Sequence, residues 1–193
     1  MLHPRTQDAL TRTLTDVEAL HEQHGWDLSP ELIGLFDRPM SADPHRVHVD
    51  ADLVESSVWH DPSRAGGDEN LPPAVVLHHL VTTMGSAPMR DTLRAWLHQN
   101  GRRCIGFAMV FEAWAGQVTS GYRHGDLAQA PATARVETRV VAAVDIDLRT
   151  YRVMRVRGAS TTTVEAWAAA PPRVAGSRIA AGLTRLAHLA RDR

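Results

Sequence analysis

Apolar residues recur at helical spacing near the start of the chain. The stripe consists of the apolar residues Leu10, Leu14 and Val17 and continues with two histidines, His21 and His24. Steps of four, three, four and three residues place all five on one face of a helix. The spacing predicts a helix over residues 5–24, with Gly25 as its C-terminal cap.

Later segments also carry helical signals. Ser29, Pro30 and Glu31 have the order of an N-cap, a first-turn proline and a first-turn acid, which predicts a short helix through Phe36. Two amphipathic segments follow, one ending at Gly85 and the next at Gly101. A last helix is predicted over residues 174–191.

Beyond residue 101 the hydrophobic period changes from 3.6 to 2. The run from Cys104 to Trp114 is apolar at successive positions, which is typical of a central strand covered on both faces. Residues 135–148 alternate between apolar and charged side chains, and a turn near residues 147–150 leads to a returning strand, 151–157. These two segments predict a β-hairpin over 135–157. Shorter strands are predicted at residues 46–50 and 161–167.

The order of elements predicts an α+β fold. It has N-terminal helices, a central antiparallel sheet of three to five strands that includes the hairpin 135–157, and a C-terminal helix packed on the sheet. The 193 residues are expected to form a single domain. Its first half, 1–100, is mainly helical and acidic, and its second half, 101–193, contains the sheet and the last helix and is basic.

Composition excludes several kinds of chemistry. The chain has no lysine, so all 21 basic residues are arginine, a bias typical of a high-GC genome. P-loop, protein-kinase and Schiff-base chemistry all need a lysine and are excluded. The single cysteine, Cys104, excludes an intramolecular disulfide and is predicted to be a buried, inert thiol. The sequence shows no G-x-S-x-G or G-x-G-x-x-G motif.

Charge is unevenly distributed along the chain. Residues 1–96 contain 15 acids and 7 arginines, a net charge of −8, whereas residues 97–193 contain 7 acids and 14 arginines, a net charge of +7. Two interpretations remain open: the halves neutralise each other by packing, or the basic half forms an interaction face. The candidate residues for such a face are Arg135, Arg139, Arg149, Arg155 and Arg157.

Histidines and aspartates suggest a metal site as an alternative. His21 and His24 lie three residues apart on one helix face, and His48 and Asp50 share one face of a short strand. Helix capping and an exposed polar strand face explain the same residues without a metal, so no cofactor is predicted. Zinc or another divalent metal is the alternative. Tyr122, His124 and Asp126 are further candidates in the long irregular segment 115–134.

Two segments carry a family resemblance. The run from His24 to Leu35, HGWDLSPELIGL, and the strand-like run from Ile105 to Glu112, IGFAMVFE, resemble segments of small uncharacterised actinobacterial proteins with a G-W-D-x-P-P turn. Only one of the two prolines of that turn is present here. The resemblance implies a cytoplasmic, actinobacterial protein and transfers no activity and no site residue.

The sequence thus favours a non-catalytic binding domain that acts as a regulatory or assembly partner. The expected partner is a protein, either a second copy or another chain, rather than a nucleic acid or a membrane. A cytoplasmic location is expected because the first residues lack the apolar stretch of a signal peptide. The alternatives are a metal-dependent hydrolase with a His/Asp site, and nucleic-acid binding through the hairpin arginines.

Overall fold

The computed structural model describes residues 1–38, 47–54, 71–116 and 135–191. The helices are α1 (Pro4–His24), α2 (Pro73–Met84), α3 (Arg90–Leu97), α4 (Pro172–Ala175) and α5 (Arg178–Arg191). The strands are β1 (Glu31–Arg38), β2 (His48–Leu53), β3 (Arg103–Gly116), β4 (Arg135–Asp145), β5 (Thr150–Val156) and β6 (Thr163–Trp167). The α+β class is therefore confirmed.

The described strands form one open antiparallel sheet in the order β2-β1-β3-β4-β5-β6. The sheet has six strands, one more than the upper limit of the prediction. The additional strand is β1, since the segment from Glu31 to Phe36 was predicted to be helical and that prediction is wrong. β1 lies between β2 and β3 and is covered on both faces, so its residues from Leu32 to Phe36 are all buried and show no period of two.

The end of α1 and the β4–β5 hairpin agree with the predictions, whereas the start of the last helix does not. α1 ends at His24, and Gly25 follows with φ of +99°, donating its N–H to the carbonyls of His21 and Glu22. This left-handed φ favours glycine. β4 and β5 form the predicted hairpin. The last helix begins later than predicted, because the hydroxyl of Ser177 accepts the N–H of Ala180 and caps α5.

The turn between β4 and β5 is built around Asp145, which is buried. One carboxylate oxygen of Asp145 accepts the N–H groups of Asp147 and Arg149 at 2.8 and 3.0 Å, and the other accepts the Tyr151 hydroxyl at 2.8 Å. Burial raises the pKa of Asp145, although these hydrogen bonds oppose the effect. The hydrogen bonds of this carboxylate thus stabilise the turn, which contains no glycine.

Helices cover both faces of the sheet. α1 lies over β2, β4 and β5, while α5 lies against β3 and β4, and α2 packs on α5. Arg139 of β4 contacts Glu22 of α1, which identifies the α1 face, and Glu112 lies opposite Arg139 on β3. Side chains alternate between the two faces along each strand, so Phe107 of β3 points to the face opposite Glu112. There it stacks on Trp96 of α3. Buried apolar residues of both layers belong to one hydrophobic cluster.

Gly34 of β1 allows α3 to approach the sheet closely. The ring of Trp96 lies directly over Gly34, edge-on to Phe36 at 5.1 Å and stacked on Phe107 at 5.9 Å between ring centroids. A Cβ at position 34 would collide with the Trp96 ring and would lie 2.9 Å from the Phe36 ring. Glycine is therefore required by packing at this position.

We expect Gly34→Ala to lower the free energy of unfolding by about 1–3 kcal/mol, since the methyl group overpacks the site. Urea denaturation of the wild type, Gly34→Ala, Trp96→Leu and the double variant measures the effect. In the Trp96→Leu background the added methyl group should cost clearly less. An equal cost in both backgrounds would show that the Trp96 ring is not the reason for the glycine.

Candidate functional site

Arg139 lies at the buried centre of a cluster of charged groups that extends from beneath α1 to the surface. We define the arginine cluster as Arg139, Arg155 and Arg157 with the acids Glu18, Glu22, Asp27, Glu112 and Glu137. The side chains of Arg139 and Glu18 are 1% and 0% exposed. Arg139 donates to Glu22 at 3.0 Å and to Glu112 at 3.1 Å, and one of its nitrogens lies 3.7 Å from Glu18.

Arg155 is the second cationic partner of Glu18. Its guanidinium donates three hydrogen bonds of 2.7–3.0 Å to the two carboxylate oxygens of Glu18. These bonds raise the pKa of the Arg155 guanidinium above its usual value. Because Glu18 has no contact with solvent, its charge requires both arginines.

Regular secondary structure positions these side chains. Glu18 belongs to the buried side of α1 together with Leu14, Val17 and His21. Arg139 on β4 is directly opposite Arg155 on β5 and Glu112 on β3, so all three project from the sheet toward α1. The cluster therefore connects the first helix to three consecutive strands.

Trp26 closes one end of the cluster. The positive φ of Gly25 turns the chain back after α1, and the Trp26 ring lies over two guanidinium groups, with centroid distances of 4.3 Å to Arg139 and 5.4 Å to Arg157. Arg139 also donates to the carbonyl of Gly25. The G-W-D segment thus has a structural role as a cap on the buried arginine.

Asp27, Glu112 and Glu137 have carboxylate oxygens within 4.8 Å of one another, which is the spacing of a cation site. Arg157 contacts Asp27 at 3.1 Å and Glu137 at 2.6 Å, and Glu112 contacts Arg139 and accepts the N–H of Asp27 at 2.8 Å. Each carboxylate therefore already has a cationic partner within the protein.

The hairpin arginines do not form an open basic face in the part of the chain that the structure describes. Arg139 is buried and Arg155 is 12% exposed, and both contact acids from the first half of the sequence. Arg157 is exposed and paired, and Arg149 is half-buried beside the turn after β4. The position of the Arg135 side chain lies outside the described part. α1 covers the sheet face from which Arg139 and Arg155 project.

The four candidate metal ligands lie on two faces of the sheet. His21 lies on the buried side of α1, with Nδ1 2.8 Å from the Val17 carbonyl and Nε2 3.1 Å from Glu31. His24 is exposed and contacts the Leu20 carbonyl at 2.9 Å.

His48 and Asp50 belong to the opposite face of the sheet. His48 lies 3.3 Å from Asp50, which contacts Arg102 at 3.0 Å, and the Arg102 guanidinium lies over the Phe36 ring. The sheet separates this pair from His21, so the structure does not bring the four predicted ligands together.

Two further predictions concern single positions and the long irregular segment. Cys104 is 2% exposed, and burial raises the pKa of its thiol to about 12, which disfavours the nucleophilic thiolate. Tyr122, His124 and Asp126 lie outside the described residues.

A groove between α2 and α5 was not predicted from the sequence. Its volume is about 440 Å³. Ala74, Val75, His78 and Val81 line it from α2, and Arg178, Ala181, Gly182 and Arg185 line it from α5. The helices approach closely because Gly182 has no side chain, and a Cβ there would lie 2.6 Å from Leu77.

The helices that line the groove carry no acidic side chain. Residues 71–90 and 166–191 contain no aspartate or glutamate. Arg178 and Arg185 are exposed, and neither makes an ion pair or hydrogen bond with any residue that the structure describes. The signal available in the sequence was this absence of acids from two segments that pack together.

Comparisons of the chain with protein-family models, curated proteins and solved structures find no match. Within the described ranges, no helix has the length and apolar character needed to cross a membrane.

Removal of Arg139 should be strongly destabilising. We expect Arg139→Met to lower the free energy of unfolding by about 3–5 kcal/mol, because Glu18 stays buried with one partner fewer. Arg152→Met is the matched control: it removes a half-buried strand arginine that pairs with Glu165. Its expected cost is about 1 kcal/mol or less. Equal losses for the two variants in urea denaturation would contradict the central role of Arg139.

The two histidines of α1 should behave differently. We expect His21→Ala to cost about 1–3 kcal/mol, since a buried ring with two polar contacts is removed. His24→Ala should cost about 0.5 kcal/mol or less because that ring is exposed. Urea denaturation measures both costs, and elemental analysis of untagged protein measures the metal content. Stoichiometric zinc in the wild type that is lost in either variant would contradict a purely structural role of the two histidines and favour the metal site.

Proposed function

We propose that this protein is a non-catalytic binding domain whose protein partner occupies the groove between α2 and α5. The observation that carries the proposal is the pair of exposed arginines, Arg178 and Arg185, beside an apolar concavity whose described lining contains no acid. Ligand sites are typically concave and apolar, with a few polar groups that fix the orientation of the ligand.

The buried charges support a binding role rather than catalysis. Glu18 and Arg139 of the arginine cluster are almost completely buried, and the guanidinium and carboxylate groups of the cluster are bound to one another. Cys104 is buried as a thiol, away from solvent. A catalytic site needs reactive groups that a substrate can reach, whereas these groups hold α1 on the sheet.

The two alternatives have less support from the geometry. The metal-dependent hydrolase would use His21 and His24 with a later His/Asp group. His21 is bound to Glu31 and to the Val17 carbonyl, and the candidate pair His48 and Asp50 lies across the sheet. Nucleic-acid binding through the hairpin requires exposed arginines, yet Arg139 and Arg155 contact Glu18 beneath α1. We further propose that the domain acts in the cytoplasm as a regulatory or assembly partner.

Selection from a displayed peptide library tests the proposal, since it does not require the partner to be identified first. Ala181 is exposed and lines the groove, so Ala181→Phe fills the groove. Ala95→Phe, at an exposed position of α3, is the matched control. We expect selected peptides to bind the wild type and Ala95→Phe equally and Ala181→Phe about tenfold more weakly, measured by fluorescence anisotropy.

Thermal unfolding shows whether both variants remain folded. Peptides that bind Ala181→Phe as tightly as the wild type would place the binding site elsewhere. If repeated selections yield no peptide that binds the wild type, the proposed binding function is contradicted.

A further inference from the structure

We infer that the partner segment in the α2–α5 groove is an acidic amphipathic helix that carries an apolar side chain between carboxylates about two turns apart. This inference rests on the proposed binding function and adds the chemistry of the ligand. It follows from the spacing of two arginines, the composition of the groove floor and the absence of acids from the two segments that form the groove.

Arg178 and Arg185 set the spacing. They are seven residues apart on α5, so they project on nearly the same side of the helix, about 10 Å apart along its axis. Two carboxylates seven residues apart on a ligand helix have the same separation. Guanidinium groups bind carboxylates with two parallel hydrogen bonds, which favours this pairing over a diffuse charge contact.

The floor of the groove accounts for the apolar part of the ligand. Ala181 and Gly182 lie between the two arginines in sequence, and Ala74 and Val81 face them from α2. These side chains are small or aliphatic, so they leave room for a leucine-sized group and provide it with no polar partner. An amphipathic helix laid in a hydrophobic groove is a common mode of peptide recognition.

The surroundings account for the sign of the charge. Elsewhere, arginines such as Arg102, Arg139 and Arg155 contact carboxylates from distant parts of the chain. The segments that form the groove, residues 71–90 and 166–191, contain no carboxylate side chain. Arg178 and Arg185 are therefore not neutralised by the helices that form the groove, and they favour an anionic ligand.

The shape favours a peptide over other polyanions. A membrane surface or a nucleic-acid backbone would contact the arginines at the rim and leave the apolar floor empty. Base stacking would require aromatic side chains, and the described lining contains none apart from the imidazole of His78. The acidic helix uses both the rim and the floor.

Two synthetic helical peptides of 18 residues test the inference. Both carry leucine at positions i, i+3 and i+7, and they carry either two glutamates seven residues apart or two glutamines at the same places. We expect the glutamate peptide to bind at low ionic strength and the glutamine peptide to bind about fivefold more weakly. Affinity for the glutamate peptide should fall as salt rises from 50 to 200 mM.

Variants of the protein identify the residues responsible. Arg178→Gln with Arg185→Gln should weaken binding of the glutamate peptide about fivefold and leave binding of the glutamine peptide unchanged. Arg173→Gln, which removes an exposed charge on α4 that does not line the groove, is the matched control and should have no effect.

The outcomes separate this inference from the proposed function. Equal binding of the two peptides, lost in Ala181→Phe, would overturn the acidic partner and keep the groove as a binding site. The groove is not the binding site if Ala181→Phe binds both synthetic peptides and every library-selected peptide as tightly as the wild type does. This outcome would overturn the proposed function as well. Binding of duplex DNA or of phosphatidylserine vesicles that needs Arg178 and Arg185, without binding of the glutamate peptide, would also overturn the inference.

Discussion

The contact of Glu18 with Arg139 and Arg155 determines how α1 can lie on the sheet. A carboxylate that is 0% exposed is costly to bury unless cationic partners surround it, and these two arginines come from adjacent strands. Rotation of α1 by one residue would replace Glu18 with Val17 or Ala19 and leave both arginines buried without that partner. The ion pairs therefore specify the register of α1 on the sheet, in addition to any stability that they contribute.

The same contact explains the charge asymmetry of the chain. Glu18, Glu22 and Asp27 come from the acidic half, and they bind Arg139, Arg155 and Arg157 from the basic half. The net charges of −8 in one half and +7 in the other are thus partly neutralised by ion pairs between the two halves. For these arginines, the packing of the two halves accounts for the asymmetry without an external partner.

Local patterns in the sequence were sufficient for α1 and the β4–β5 hairpin, because each has a periodic set of apolar side chains. β3 was predicted from its long apolar run, which is typical of a central strand. β1 was not predicted, because its apolar run from Leu32 to Phe36 is short and has no period of two, and the preceding Ser29-Pro30-Glu31 sequence fits a helix start. Glu18 was not identified because a single acid beside an apolar stripe resembles a solvent-exposed residue. Its partner Arg155 is 137 residues away, so only the tertiary fold reveals the pair.

The two layers of helices differ in how they are held on the sheet. On the α1 face, charged groups from α1 and three strands bind one another, and Trp26 covers them. On the opposite face, α2 and α5 meet through apolar packing of Leu77 on Gly182. Because the sheet separates the groove from the arginine cluster, a ligand can occupy the groove without disturbing the ion pairs that position α1. Arg178 and Arg185, which pair with none of the described residues, are thus available to a ligand, whereas Arg139 and Arg155 are committed to the fold.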